Sequence, residues 1–456
     1  MKKLVASALA CTFGVTSFAT SPVPVSVRQN WPWDGKMIID VTMPAGTNDL
    51  ELAAKFYHGG VCVEADIVAA GGVSGDLFCC EGGTHRVVWD PAAAGFTNRI
   101  EGLDISATAV PPEDRTWLVV DPVKGTYEYF AKDAAPVDEK GRPWQADTYK
   151  CEKMVFRRIP AGKYTVGYTA EEVNFLKNTI SPGYNGSFMA AREVEITSDY
   201  YISIYQMTRG HYFHVLDPAS TQPGKSPLLF NGALGSVDHA AGATCFLRGS
   251  NAVDNISWPT TKFRVKEGTC VDMFRKRWNN RLMFDLPTVA QWQVAARPDP
   301  QWLWYDTPQY GGGKVGDSFE TLSNVVETIS QAYFVLRRGT NLWGAPDVVG
   351  TYLPNSFGVY DLIASRPDVT LNQYRVADMT STAPETDPVG TDANPEQRIM
   401  LGHFPAGGKL AQWGMAVWHN RPTDSSLTVQ SDLNEMRCTR LVIHLKPPRS
   451  FGGKWE

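Results

Sequence analysis

The stretch Asp285-Leu286-Pro287-Thr288-Val289-Ala290-Gln291-Trp292-Gln293-Val294-Ala295-Ala296-Arg297 constrains the fold more than any other part of the chain. It reads as the end of a short strand running into a helix. Thr288 is a good N-cap, and Gln291, three residues later, can reach back to it, which is a capping box. Pro287 stands just before the helix, where a missing N–H is tolerated. Val289, Trp292 and Ala296 are spaced by three and four residues, so the pattern predicts an amphipathic helix with these side chains on one face.

A chain of 456 residues is too long for one ordinary domain, and two to three are expected. Forty glycines and 14 tryptophans point to many turns, little regular helix and aromatic packing between irregular segments. The net charge of -5 offers no basic footprint for nucleic acid. Residues 1–20 read as a signal peptide: Lys2 and Lys3, an apolar run from Leu4 to Phe18, and small residues around Ser17-Phe18-Ala19. The mature chain is expected to start near Thr20, outside the cytoplasm, in the periplasm, on the cell surface or secreted. No later run has the apolar length of a membrane span.

Residues 22–110 are expected to form a β-sandwich. Short strand candidates at Val25–Arg28, Lys36–Met43, Leu50–Tyr57, Ala65–Ala69, His85–Trp89 and Ile105–Val110 alternate with Pro, Gly and Asp clusters. Trp31 and Trp33 are expected to plug the core at one end of the sandwich, in preference to a sugar-stacking platform. Residues 111–150 read as a connector: a hairpin at Trp117–Asp121 and Tyr127–Phe130, then a polar, proline-bearing linker over 131–149.

The second domain is expected over 151–447, with a tail at 448–456. Its motifs follow one another in a recognisable order. Met154 to Gly167 is a strand, a Pro-Ala-Gly turn and a second strand. Arg192–Thr197 alternates as an edge strand would. Tyr200–Thr208 is a further strand, Asn255-Ile256-Ser257-Trp258 a turn, and Thr269–Trp278 a helix leading to the opening motif. Val349-Gly350 leads into Pro354-Asn355-Ser356-Phe357-Gly358-Val359-Tyr360-Asp361-Leu362. Arg398–Phe404 and Cys438-Thr439-Arg440-Leu441-Val442 follow. Together with Leu286-Pro287-Thr288-x-Ala290-x-Trp292-x-x-Ala295-Ala296-Arg297, this ordered set resembles the formylglycine-generating enzyme, or sulfatase-modifying factor, family. The resemblance implies an irregular C-type-lectin-like domain. The fold class expected for the whole chain is therefore α+β and β-rich, a sandwich followed by that domain.

Family members that make formylglycine carry a cysteine pair that binds copper, and thiolates are the natural Cu(I) ligands. The matching stretch here, Phe404 to Met415, has no cysteine. The family's calcium segment is also altered. After Leu362, only Asp368 and Asn372 offer oxygen ligands where calcium wants six or more. No cofactor is expected, with calcium left open and copper disfavoured. His211 and His214 share a probable helix face; a metal pair like that of the fold's non-haem iron relatives is set aside, because those draw their histidines from a separate helical domain, and the two are expected to be partly exposed helix residues.

The reading is an exported binding or recognition module rather than an enzyme, with a protein, peptide or glycan ligand outside the cytoplasm. The alternative is a formylglycine-generating oxidase acting on sulfatase cysteines. The ligand site is expected beside Gly402–Arg421, bordered by His403, Phe404, Trp413, Trp418, His419, Asn420 and Arg421, where rings stand beside a few donors.

Overall fold

A computed structural model describes residues 20–179, 189–208, 210–211, 270–278, 281–304, 311–329, 349–350, 352–362, 368–373, 380–389, 398–401, 421–422 and 440–446. The chain divides into two units, the first ending at Asp114 and the second starting at Arg115.

The first unit contains β1 (Ser21–Val23), β2 (Val25–Gln29), β3 (Met37–Met43), β4 (Asp49–His58), β5 (Val61–Asp66), a helical turn α1 (Ile67–Ala70), β6 (Val73–Gly75), β7 (Gly83–Trp89) and β8 (Ile100–Val110). They form two antiparallel four-stranded sheets, ordered β1-β8-β4-β5 and β2-β3-β7-β6. Alternation directs Leu50, Leu52, Ala54 and Phe56 of β4 to one side. There they share a core with Ile39, Val41, Met43, Val87 and Trp89 of the other sheet. This is a sandwich. Two local expectations change. The strand expected at 65–69 ends at Asp66, whose carboxylate accepts the Val68 N–H at 2.9 Å and starts α1. Trp31 and Trp33 are not core plugs: they are 87% and 52% exposed.

The second unit opens with β9 (Trp117–Asp121) and β10 (Thr126–Phe130), the hairpin expected from the sequence. After α2 (Asp147–Cys151) come β11 (Met154–Ile159), β12 (Gly162–Val166), α3 (Ala170–Thr179), β13 (Arg192–Ile196) and β14 (Tyr200–Ser203). Then follow α4 (Cys270–Arg277), β15 (Met283–Asp285), α5 (Val289–Ala296) and α6 (Phe319–Ile329). The last described elements are β16 (Asp368–Gln373), β17 (Glu385–Thr386), β18 (Arg398–Leu401), β19 (Arg421–Pro422) and β20 (Val442–His444).

The main sheet runs β10-β9-β11-β14-β20-β15 and is antiparallel throughout. β20, the last described strand, sits between β14 and β15, so the chain's end closes the sheet. Both faces of this sheet are covered. Alternate side chains go to different cores: Tyr200, Ile202 and Val442 to one, Phe156, Tyr201 and Ile443 to the other. That double burial is why these strands read as continuous apolar runs.

Three expectations about this unit are corrected. The connector over 111–150 is not a separate linker. β9 and β10 belong to the main sheet, and Trp144 is fully buried in edge-on contact with Trp117, Phe130 and Tyr149. β13 is not an edge strand, since it pairs with β12 on one side and β17 on the other. Helix α5 is not amphipathic, because all eight of its residues are buried. The capping box does form: the Thr288 hydroxyl accepts the Gln291 N–H at 3.1 Å, and the Gln291 side chain accepts the Thr288 N–H at 3.0 Å. The glutamines that look outward in the sequence are absorbed inside, Gln291 by the cap and Gln293 by a contact with the Met189 sulfur at 3.0 Å.

Candidate functional site

The groove expected beside Gly402–Arg421 is approached through a small sheet, β16-β18-β19. Met400 of β18 pairs with Arg421 of β19, and Ile399 with Pro422. The chain therefore leaves this sheet after Leu401 and re-enters it at Arg421, with both ends of the intervening stretch pinned side by side. His403, Phe404, Trp413, Trp418, His419 and Asn420 lie outside the described residues. Arg421 is described by its backbone, in β19.

The first residue of β16, Asp368, belongs to a buried ion network. Arg440, just before β20, is fully buried, and its Nε donates to Asp368 Oδ2 at 2.7 Å. Its remaining nitrogens donate to the carbonyls of Ser203, Ile204 and Tyr360. Asp368 also accepts from Trp292 Nε1 at 2.9 Å and from Gln206 Nε2 at 3.0 Å. One guanidinium and one carboxylate thus tie together α5, the end of β14, the Tyr360 turn, β16 and the closing strand. Both oxygen donors that the sequence offered for calcium make hydrogen bonds within the protein. The Asp368 carboxylate is occupied by three donors, and Asn372 Oδ1 accepts the Val289 N–H at 2.7 Å at the start of α5. Among the described residues, no three of His, Cys, Asp and Glu gather as a metal site. His211 is buried, with Nδ1 accepting the Thr208 N–H and Nε2 donating to the Lys153 carbonyl at 2.8 Å. His214 lies outside the described residues.

The Pro354-to-Leu362 motif does two jobs. Asn355 donates to the Ala295 carbonyl at 2.6 Å, satisfying the end of α5, and its side-chain oxygen accepts the N–H groups of Phe357 and Val359. Asp361 is buried in a left-handed conformation, φ 53°, and accepts the Gly350 N–H at 2.7 Å. Burial pushes its carboxyl up to about 6, against the opposing pull of that N–H and of Arg440.

Next to this motif lies a cavity of about 400 Å³ that the sequence reading missed. Trp117 and Phe357 wall it, Arg157 is set between them, and Lys132 and Lys140 stand among its lining residues. The register explains the arrangement, because Arg157 of β11 is directly opposite Trp117 of β9. The guanidinium lies 4.8 Å from the Trp117 ring and 5.7 Å from the Phe357 ring. Gly358, at φ 78°, makes room for this wall: a Cβ there would stand 2.6 Å from the Trp117 ring. The neighbouring Arg158 is paired with Asp199 at 2.7 Å, and Arg142 with Asp138 at 2.8 Å. Arg157 has no such partner among the described residues, and its buried Nε makes no hydrogen bond. Burial pushes its pKa down to about 10, with the Tyr201 hydroxyl rather than a carboxylate acting the other way. It is still a cation at neutral pH. The signal was present in the sequence as two adjacent arginines inside an apolar strand, which must face opposite sides of a sheet.

The family model for the sulfatase-modifying factor enzyme 1-like domain matches residues 140–379, just over half of the chain. The chain belongs to this family. The sulfatase-modifying-factor domain so defined contains the capping box, Asn355 and Asp361, and all of the cavity's rings and cations except Trp117 and Lys132. The solved structure of Treponema denticola variable protein 1 is similar over 64% of this chain and 95% of that one, at 15% identity and a TM-score of 0.39. A structure titled CarF is similar over 63% of this chain and 99% of that one, at 14% identity and a TM-score of 0.26. No curated protein matches the chain. The copper pair that resemblance to formylglycine-forming members implies has no counterpart in the donor set, since Phe404 to Met415 contains no sulfur except the Met415 thioether.

Proposed function

We propose that this sulfatase-modifying-factor-like chain is an exported recognition module that uses the family scaffold without the family's oxidase chemistry. The observation that carries this reading is the contrast between its two halves. The scaffold ties, Arg440–Asp368, Asn355 to α5 and the Thr288 cap, are all made. The stretch where two thiolates would be needed has none. A single thiol elsewhere, such as Cys438, cannot supply two sulfur ligands.

The recognition surface is the stretch from Gly402 to Arg421, held at both ends by β18 and β19. Binding loops commonly stand on such rigid supports. His403, Phe404, Trp413, Trp418, His419, Asn420 and Arg421 supply rings and hydrogen-bond donors for a protein, peptide or glycan outside the cytoplasm. Export is supported by the order of charged, apolar and small residues in 1–20. N-terminal sequencing of the exported product is expected to begin near Thr20.

The test is to select a ligand on glycan and peptide arrays with the intact chain, then to substitute Trp413→Ala and His403→Ala. Each is expected to weaken binding about tenfold or more with an unchanged melting midpoint. Loss of folding in Trp413→Ala would place that ring in the core and remove it from the site.

A further inference from the structure

We propose that the Arg157 cavity is a second binding site, taking a carboxylate carried on a planar apolar body. The inference is independent of the Gly402–Arg421 reading, because it rests on described residues that belong to neither β18 nor β19.

Three observations converge. The cavity has the volume of a small-molecule site, about 400 Å³. Its walls are two aromatic rings and prolines, Pro143 and Pro354, suited to a flat apolar group. The cation at its wall has no counter-charge among the described residues, whereas its neighbours Arg158 and Arg142 do. Arg157 is half-buried, with its Nε shut off from water and unbonded, a costly arrangement that a ligand anion beside the guanidinium would relieve. Stacking on Trp117 and Phe357 offsets part of that cost but leaves the in-plane N–H groups unused, and those are the groups that bind a carboxylate with two parallel hydrogen bonds. Lys132 and Lys140, both exposed, add positive charge against the lone Asp133 of the lining. The pocket therefore favours an anion.

The carboxylate has two sources of the same chemistry, a free aryl acid or the C-terminus of a chain ending in an aromatic residue. Calorimetric titration of the full chain would use two matched pairs: indole-3-acetate against indole-3-acetamide, and N-acetyl-Ala-Phe against its C-terminal amide. In at least one pair the acid is expected to bind about tenfold or more tighter than the amide, and the pair that shows it identifies the source. Arg157→Met, which keeps length and removes charge, is expected to abolish the preference, with Arg157→Lys restoring part of it. Inorganic phosphate at equal concentration is expected not to displace the acid. Equal affinity for acid and amide in both pairs, or no binding of either acid at about 10 mM, would overturn the proposal. So would displacement by phosphate, which would make this a general anion site, or an undiminished acid preference in Arg157→Met. The acid–amide comparison uses the unaltered protein, so it decides the matter even if the variant does not fold.

Discussion

Asp361 and His444 are both buried, and acid acts on them in opposite directions. The Asp361 carboxyl is pushed up to about 6 by burial, from an ordinary value of 3.8. Its contribution is fully present below the ordinary value and is lost as pH rises through about 6. At about 1.4 kcal/mol per unit, that is on the order of 3 kcal/mol. His444 is pushed down to about 3 by burial first and then by Arg275, from 6.5. Its contribution is fully present above 6.5 and is lost as pH falls toward 3. Between these values the two slopes oppose each other. Asp361→Asn is expected to raise stability near pH 7 by about 1–3 kcal/mol and to make it fall as pH drops from about 6 to about 4. Urea unfolding at several pH values checks this, and a profile that overlays the parent's would contradict it. Asp368→Asn is a harsher change. It leaves the fully buried Arg440 without its anion and is expected to cost about 3–5 kcal/mol in the same measurement.

Elements were legible in the sequence where a local rule and the tertiary context agree. The Thr288–Gln291 capping box and the hairpin around Val123-Lys124-Gly125 are set by short-range chemistry, and both are present. Thr288→Ala is expected to cost about 1–2 kcal/mol, and Thr288→Ser much less, because the hydroxyl accepts a backbone N–H at a buried helix start. Chemical denaturation of the two variants separates the lost cap from lost volume. Elements were misread where tertiary contacts override composition. The proline-bearing run over 131–149 looks like linker, yet Trp144 is the hub of an aromatic cluster with Trp117, Phe130 and Tyr149. The glutamines of α5 look like a solvent face, yet the helix is enclosed on every side. Trp31 and Trp33 look like core residues, yet composition carries no information about which turn aromatics stay outside. The Arg157 cavity needed the β9–β11 register, a long-range pairing that no local pattern prints.

At the scale of the whole molecule, the division after Asp114 and the family match from residue 140 do not coincide. The segment between them supplies β9 and β10 to the main sheet, and Trp117 to a core that it shares with Trp144. A fragment starting at Arg115 is therefore expected to fold alone. One starting at Tyr149 would expose the edge of β11 and is expected to aggregate; soluble yield and far-ultraviolet circular dichroism distinguish them. The central claim is that the family scaffold is kept here for recognition while its oxidase chemistry is absent. Its most direct test is to incubate the full chain with copper, oxygen, a thiol reductant and a sulfatase-motif peptide, and to follow the peptide cysteine by mass spectrometry. The account predicts an unmodified cysteine under conditions where a formylglycine-forming relative converts it. Clear conversion to formylglycine would contradict it, and would mean that sulfur ligands from outside Phe404–Met415 assemble the copper site.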